Sequence, residues 1–292
     1  MRNYIKNQVV DVLRSLSDAC RLLNRLIAQK GDSQSEFILL QDMQSAAIEI
    51  GETIENSQRQ ETKAVKILEE ACELMWQISQ SLSEEKKGLC KRLRRELEEV
   101  KIEIESIPTE FEIVFLPYKA SMWDSFESIW RAAKNDSASA AYVIPVPYFD
   151  RREDGSLGEM HYEGALFPED VQVIGWKQYD FEKRHPDIIY FHNPYDEFNY
   201  VTSVHPFFYS DSLKKYTDKL VYIPYYVCSE STRRENCLQK GIMYADVVIV
   251  QSEKIKAEYV KFYRKEIDKN IPPNKFLALG SPKFDKVIRC ME

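Results

Sequence analysis

No proline occurs before residue 108, and all 12 prolines of the 292-residue chain lie from there on. Proline removes a backbone donor and breaks helix interiors. The first third is therefore free to form long helices, while the remainder must turn repeatedly. Side-chain spacing agrees with that division. Within residues 1–107 apolar side chains recur at steps of three and four, the period of a helix with one buried face. Ile5, Val9, Val12, Leu16, Leu23 and Leu26 mark the first face, with Ala19 or Cys20 between them. Phe37, Leu40, Ala47, Ile50 and Ile54 mark a second. Val65, Leu68, Cys72, Met75, Ile78 and Leu82 mark a third, and Leu89, Leu93, Leu97, Val100 and Ile104 a fourth that starts near Ser83. Gly31 followed by Asp32 and Ser33 reads as a helix stop and a new N-cap. Such faces must cover one another, so antiparallel helical hairpins or a short coiled coil are expected.

Residues 108–292 read as an α/β unit. Short apolar runs at Ile113–Leu116, Ala140–Val146, Ile188–Phe191, Leu220–Ile223, Val247–Val250 and Phe276–Leu279 have strand length, and helical patterns separate most of them. The helices expected are Ser121 to about Lys134, Arg233–Tyr244 and Glu253–Ile267, the first opened by a capping-box-like Ser121-x-x-Asp124. Strands alternating with helices predict a Rossmann-like parallel sheet covered on both faces. Tyr148–Gly175, with its Asp154-Gly155 and Leu157-Gly158, is expected to form a hairpin or excursion over the sheet's carboxyl edge. Neither GxGxxG nor GxxxxGK[ST] occurs, so NAD and P-loop nucleotide chemistry are not expected, and no cofactor is assigned.

A net charge of −7 argues against a basic nucleic-acid surface. The six cysteines form no CxxC and no zinc-like spacing, which fits reduced thiols in a cytoplasmic protein and no metal site. No apolar run reaches the roughly 18 residues of a membrane helix. The cluster Lys86, Lys87, Lys91, Arg92, Arg94 and Arg95 could meet anionic lipid at the inner face of the cell membrane. Glutamates interleaved with it also fit a plain solvated face.

Chemistry-bearing residues concentrate in Asp187–Ser210, where a strand-like run opens into a polar, aromatic segment. Ligands of open α/β sheets bind outside the carboxyl ends of strands. His192 directly follows such a strand and is the expected general base, with Asp196 or Glu197 setting its tautomer. The alternative is a histidine that holds the Asn193-Pro194 turn through loop backbone. His205, before Pro206, carries the same two readings. Tyr195, Tyr225 and Tyr226, with Asn193, are the expected ligand contacts, because tyrosines at a rim offer both a stacking face and a hydroxyl. Ser281 and Pro282 read as the N-cap and first residue of a last helix. That helix start, with Lys283 close by, could hold a phosphate, and Lys119 is a second phosphate contact.

The order of these elements, Gln251-Ser252-Glu253 after a strand, and Gly280-x-Pro282-Lys283-x-Asp285 near the end resemble the first lobe of the CDP-glycerol glycerophosphotransferase family. The block HNPYDEFNYVTSVHPFFYS with LVYIPYY after it is similar to a bacterial subgroup of that family. The resemblance runs from about Glu112 to the end and leaves out the helical arm. It implies half of a B-type glycosyltransferase fold, teichoic-acid-type polymer synthesis, and a donor site in a second lobe expected outside this chain. In the implied reaction an acceptor hydroxyl of a polyol phosphate or glycan attacks the β-phosphate of CDP-glycerol, and CMP leaves. Family members commonly run from the middle strand into His-Gly-Thr-Pro. Here the matching strand runs into Pro224-Tyr225-Tyr226-Val227. His192 or His205 then takes the base role, or the lobe is a non-catalytic binding module. A sugar-nucleotide glycosyltransferase lobe is a third expectation. The arm would serve homo-oligomerisation or peripheral membrane docking.

Overall fold

The computed structural model describes residues 1–29, 32–58 and 62–291. The chain divides into two compact units, Met1–Glu110 and Phe111–Glu292.

The first unit is a four-helix bundle of α1 (Asn3–Ala28), α2 (Ser33–Gln58), α3 (Lys63–Gln80) and α4 (Ser83–Ser106), each packed on its sequence neighbour, with α1 closing the ring against α4. Its interior repeats at alternating steps of four and three: Val9, Leu13, Leu16, Cys20, Leu23 and Ile27 on α1, and Leu40, Met43, Ala47, Ile50 and Ile54 on α2. That 3.5-residue period keeps one seam facing the neighbours along the whole helix, as in coiled coils and most bundles. The sequence places two faces slightly wrong. Leu13 and Ile27 are buried where Val12 and Leu26 were expected, and Phe37 lies 56% exposed while Glu36 turns inward. Glu36 is admitted because Lys86 of α4 meets its carboxylate at 2.6 Å. Leu82 is 79% exposed because α3 has ended, and Leu82 is the residue before α4. Asp32 caps α2, its carboxylate accepting the amides of Gln34 and Ser35, whereas the expected stop at Gly31 lies outside the described residues. Lys6 closes the other end of the bundle by donating to the carbonyls of Glu105 and Ile107, the unsatisfied acceptors at the end of α4.

In the second unit a six-stranded sheet has the order β2-β1-β5-β7-β8-β9, with every pair parallel. Its strands are β1 (Phe111–Leu116), β2 (Ser139–Val143), β5 (Ile188–Phe191), β7 (Lys219–Tyr222), β8 (Val247–Val250) and β9 (Phe276–Ala278). β3 (Tyr148–Arg151), β4 (Leu157–His161) and β6 (Thr202–Val204) form a smaller antiparallel sheet of order β4-β3-β6. The helices are α5 (Glu127–Asn135), α6 (Phe181–Arg184), α7 (Ser210–Leu213), α8 (Arg234–Cys237), α9 (Lys240–Tyr244), α10 (Glu253–Glu266) and α11 (Pro282–Arg289). This is the Rossmann-like α/β architecture. Alternate residues of β1 face opposite cores, Val114 and Leu116 joining one and Ile113 and Phe115 the other, so both faces of the sheet are covered.

Two local expectations change, and a third gains detail. Residues 120–125 form a 3-10 turn before α5, and no side-chain cap forms at its start, so Ser121-x-x-Asp124 is not a capping box. The pattern over Arg233–Tyr244 breaks into α8 and α9, and within α9 Gly241 passes close to Pro194 and Phe191, where a Cβ would lie 2.7 Å from the Pro194 Cα. The Tyr148–Gly175 excursion is a β3–β4 hairpin that recruits β6 as its third strand.

Candidate functional site

From β1 the chain crosses to β2 on one side, then returns to β5 on the other, so the topological switch point lies between β1 and β5. The crevice outside the carboxyl ends at such a point is where open α/β sheets take ligands. Its floor is the exit of β1 (Pro117, Tyr118, Lys119) beside the exit of β5 (His192, Asn193).

His192 joins these two exits. It is fully buried, its Nε2 accepts the Tyr118 amide at 2.5 Å, and its Nδ1 lies 3.0 Å from Ser125 Oγ. An amide can only donate, so Nε2 carries no proton and the neutral ring holds its proton on Nδ1. Nδ1 then donates to Ser125 Oγ, which in turn donates to the Met122 carbonyl at 2.7 Å. The Phe126 ring stacks on the imidazole at 4.7 Å. Burial, with the nearby Lys283 ammonium adding to it, pushes the imidazole down to about 3. Both ring nitrogens are thus occupied, and the expected partnership with Asp196 or Glu197 is replaced by Tyr118 and Ser125. His192 ties the exits of β1 and β5 together through these two bonds.

Asp196 and His205 belong to other clusters. Asp196 is buried with φ +50°, a left-handed conformation that Asp and Asn tolerate better than most residues. Its carboxylate accepts the amide and the hydroxyl of Ser210 at the start of α7. Burial pushes its carboxyl up to about 7, opposed by the Ser210 bonds and the Lys240 charge. His205 caps a short 3-10 turn through Nδ1, which accepts the Phe207 amide, and its ring lies against Trp176 and Phe149. Burial, then Lys177, lowers its basicity. Among the described residues no hydrogen bond links any two of His192, Asp196 and His205.

Asp196 yields a signed expectation. The folded chain keeps this proton up to about pH 7, whereas a free aspartate loses it near about 3.9. Between those limits the native state binds the extra proton, so Asp196 makes stability fall as pH rises. Asp196→Asn keeps the left-handed backbone and an acceptor for Ser210. It should therefore gain stability over the parent at about pH 8 and little at about pH 4.5, read from urea unfolding midpoints. Equal differences at the two pH values would refute the shift.

The lysines do reach the crevice. Lys283, at the start of α11, pairs with Asp124 at 2.6 Å, both side chains 23% exposed. Lys119 Nζ lies 4.9 Å from the centre of the Tyr148 ring and 5.5 Å from that of Tyr118. Glu163 holds this corner by accepting the Ala120 amide and the Tyr148 hydroxyl, each at 2.8 Å. Asn193 Oδ1 accepts the Tyr195 amide and so shapes the turn. The Tyr195 and Tyr225 hydroxyls stand 3.5 Å apart. Tyr226 lines a small cleft with Gly280, Ser281 and Pro282. Ser281 is the N-cap residue of α11, yet its Oγ makes no capping bond and has no partner. Asp124, Ser125 and Glu163 are the residues that sequence reasoning missed. Only Asp124 carried a signal, and it was misread as a cap.

Comparison with family models, with curated proteins and with solved structures returned no match for this chain. Among the described residues no three His, Cys, Asp or Glu side chains are grouped as a metal site, and no helix is long and apolar enough to cross a membrane.

Proposed function

We propose that the second unit is the acceptor-side lobe of a CDP-glycerol glycerophosphotransferase-like enzyme with a B-type glycosyltransferase architecture. The observation that carries the reading is a half-buried Lys283–Asp124 pair at the carboxyl edge of a parallel sheet, together with the motif resemblance around Lys283. An acceptor hydroxyl would attack the β-phosphorus of CDP-glycerol. The new phosphorus–oxygen bond forms as the bond to the bridging oxygen breaks, and CMP leaves with that electron pair. Lys283 and Lys119 would hold the anionic acceptor. With His192 committed to Tyr118 and Ser125, we assign the acceptor's proton to the Asp124 carboxylate. Positioning and charge stabilisation would supply most of the rate. The helical unit would serve assembly.

The test is calorimetric titration of the intact chain with sn-glycerol 3-phosphate, CDP-glycerol and UDP-glucose, followed by an assay of CMP release. Glycerol phosphate should bind, and CDP-glycerol should bind no better than UDP-glucose. Lys283→Ala should weaken glycerol phosphate binding about tenfold, and Asp124→Asn should tighten it by freeing the ammonium. Unchanged affinity in both variants would remove the crevice from consideration. A second reading, a non-catalytic module for phosphorylated polyols or glycans, draws on the closed hydrogen-bonding of His192. Acceptor binding without CMP release, even with a donor lobe supplied, would favour it. Selective binding of UDP-glucose would instead favour a sugar-nucleotide glycosyltransferase.

A further inference from the structure

The helical unit carries a surface that its own packing leaves open. Between α2 and α3 runs a groove of about 610 Å³. Its floor is Ala47, Gly51, Val65 and Leu68, all buried. Ile48 and Trp76 stand on its walls, 52% and 55% exposed. Large side chains half in water beside an apolar floor are what a bundle otherwise avoids.

Gly51 gives a second, independent sign of a missing neighbour. A glycine in a helix interior is destabilising by about 1 kcal/mol relative to alanine. Such a residue is usually excused by a close approach, but a Cβ built on Gly51 meets nothing within 4 Å. Nothing inside the protein therefore requires glycine there. With Ala47 one turn earlier, it leaves a smooth floor on which another helix backbone could lie closely.

The rim fixes the chemistry of the occupant. Glu52 and Glu55 on α2 and Glu69 and Glu73 on α3 line the groove, and no lysine, arginine or histidine does. None of the four is in an ion pair with a described lysine or arginine. An anionic lipid surface is excluded by this sign of charge. A two-fold dimer through the groove would set the four glutamates against their own copies, since such an interface matches one patch with itself. The groove spans Gln44 to Glu55, about 17 Å at the rise of a helix. We propose that it receives a three-turn amphipathic helix of a partner protein, with an apolar stripe at i, i+3, i+4 and i+7 and Lys or Arg on both flanks. This is a helix-in-groove mode in which the stripe supplies affinity and the flanks specificity.

The test titrates the intact chain with a fluorescent fifteen-residue helical peptide bearing a leucine stripe and lysine flanks, read by anisotropy. Controls are a scrambled peptide of the same composition and one with glutamate flanks. The lysine-flanked helix should bind at least about tenfold tighter than either. Gly51→Leu fills the floor, keeps the charge, and has room for its Cβ. It should weaken binding at least about tenfold without lowering the melting temperature. Glu52→Lys with Glu69→Lys should shift preference toward the glutamate-flanked peptide, which keeps the test sound if Gly51→Leu misfolds. Equal binding of the scrambled peptide, no binding at all, or unchanged binding in both variants would overturn the proposal. So would light scattering that shows a dimer dissociated by Gly51→Leu, because the occupant would then be a second copy.

Discussion

His192→Ala will destabilise the second unit by about 3–5 kcal/mol, because it leaves the Tyr118 amide and the Ser125 hydroxyl buried without their partner and opens a cavity beside Phe126. The measurement is urea unfolding followed by tryptophan fluorescence in a Trp76→Phe background, so that Trp123, Trp130 and Trp176 of the second unit report. A pH signature accompanies the loss. The imidazole titrates at about 3 in the fold but near about 6.5 when unfolded. Below the latter value the unfolded state binds a proton that the native state refuses. Stability must therefore fall as pH drops, by up to about 1.4 kcal/mol per pH unit, until the folded group also titrates. Asp196 acts with the opposite sign over an overlapping window, so the diagnostic quantity is the difference between parent and variant. That difference should shrink on acidification. A variant that unfolds with the parent at neutral pH would mean that the ring holds nothing together.

Arg184→Ala is expected to cost about 3 kcal/mol. Glu112, on β1, is 2% exposed and takes a two-pronged contact from the Arg184 guanidinium at 2.7 and 2.8 Å, plus the Tyr179 hydroxyl. Removing the guanidinium takes the counter-charge and two donors from a buried carboxylate that keeps the Tyr179 hydroxyl, whereas replacing both partners with apolar residues of similar volume is often nearly neutral. The cost lies at the low end for a buried pair because Arg184 is itself 36% exposed. Glu112→Leu with Arg184→Met should recover more than half of the loss in the same unfolding experiment. A single variant within about 0.5 kcal/mol of the parent would show that water already screens the pair.

Periodicity made the architecture legible. Apolar runs such as Ile188–Phe191 and Val247–Val250 are strands because fully covered parallel sheets want unbroken apolar side chains, and the bundle's steps of three and four are visible in the chain. What escaped were choices settled between distant residues. Phe37 and Glu36 compete for the inside of α2, and Lys86, fifty residues on, decides in favour of the acid. Lys275 is buried among the β8–β9 neighbours because its ammonium reaches the carbonyl ends of α9. In the crevice, the position of His192 was readable from a strand followed by a turn. Its occupation was not, since the Tyr118 amide that claims it lies 74 residues away. Asp124 was visible only as half of a local capping pattern, and the lysine it meets is 159 residues downstream.

That last separation has a consequence for biogenesis. The carboxylate beside the first strand cannot find its ammonium until the ribosome has released almost the entire second unit, while β1, β2 and β5 need only residues up to about 191 to pair. The first three strands and the Lys283–Asp124 pair therefore mature on different clocks. Long-range closures of this kind are slow because the intervening chain must be ordered first. A nascent chain would thus carry an assembled half-sheet with an unfinished mouth, and α11 would act as the clasp that finishes it.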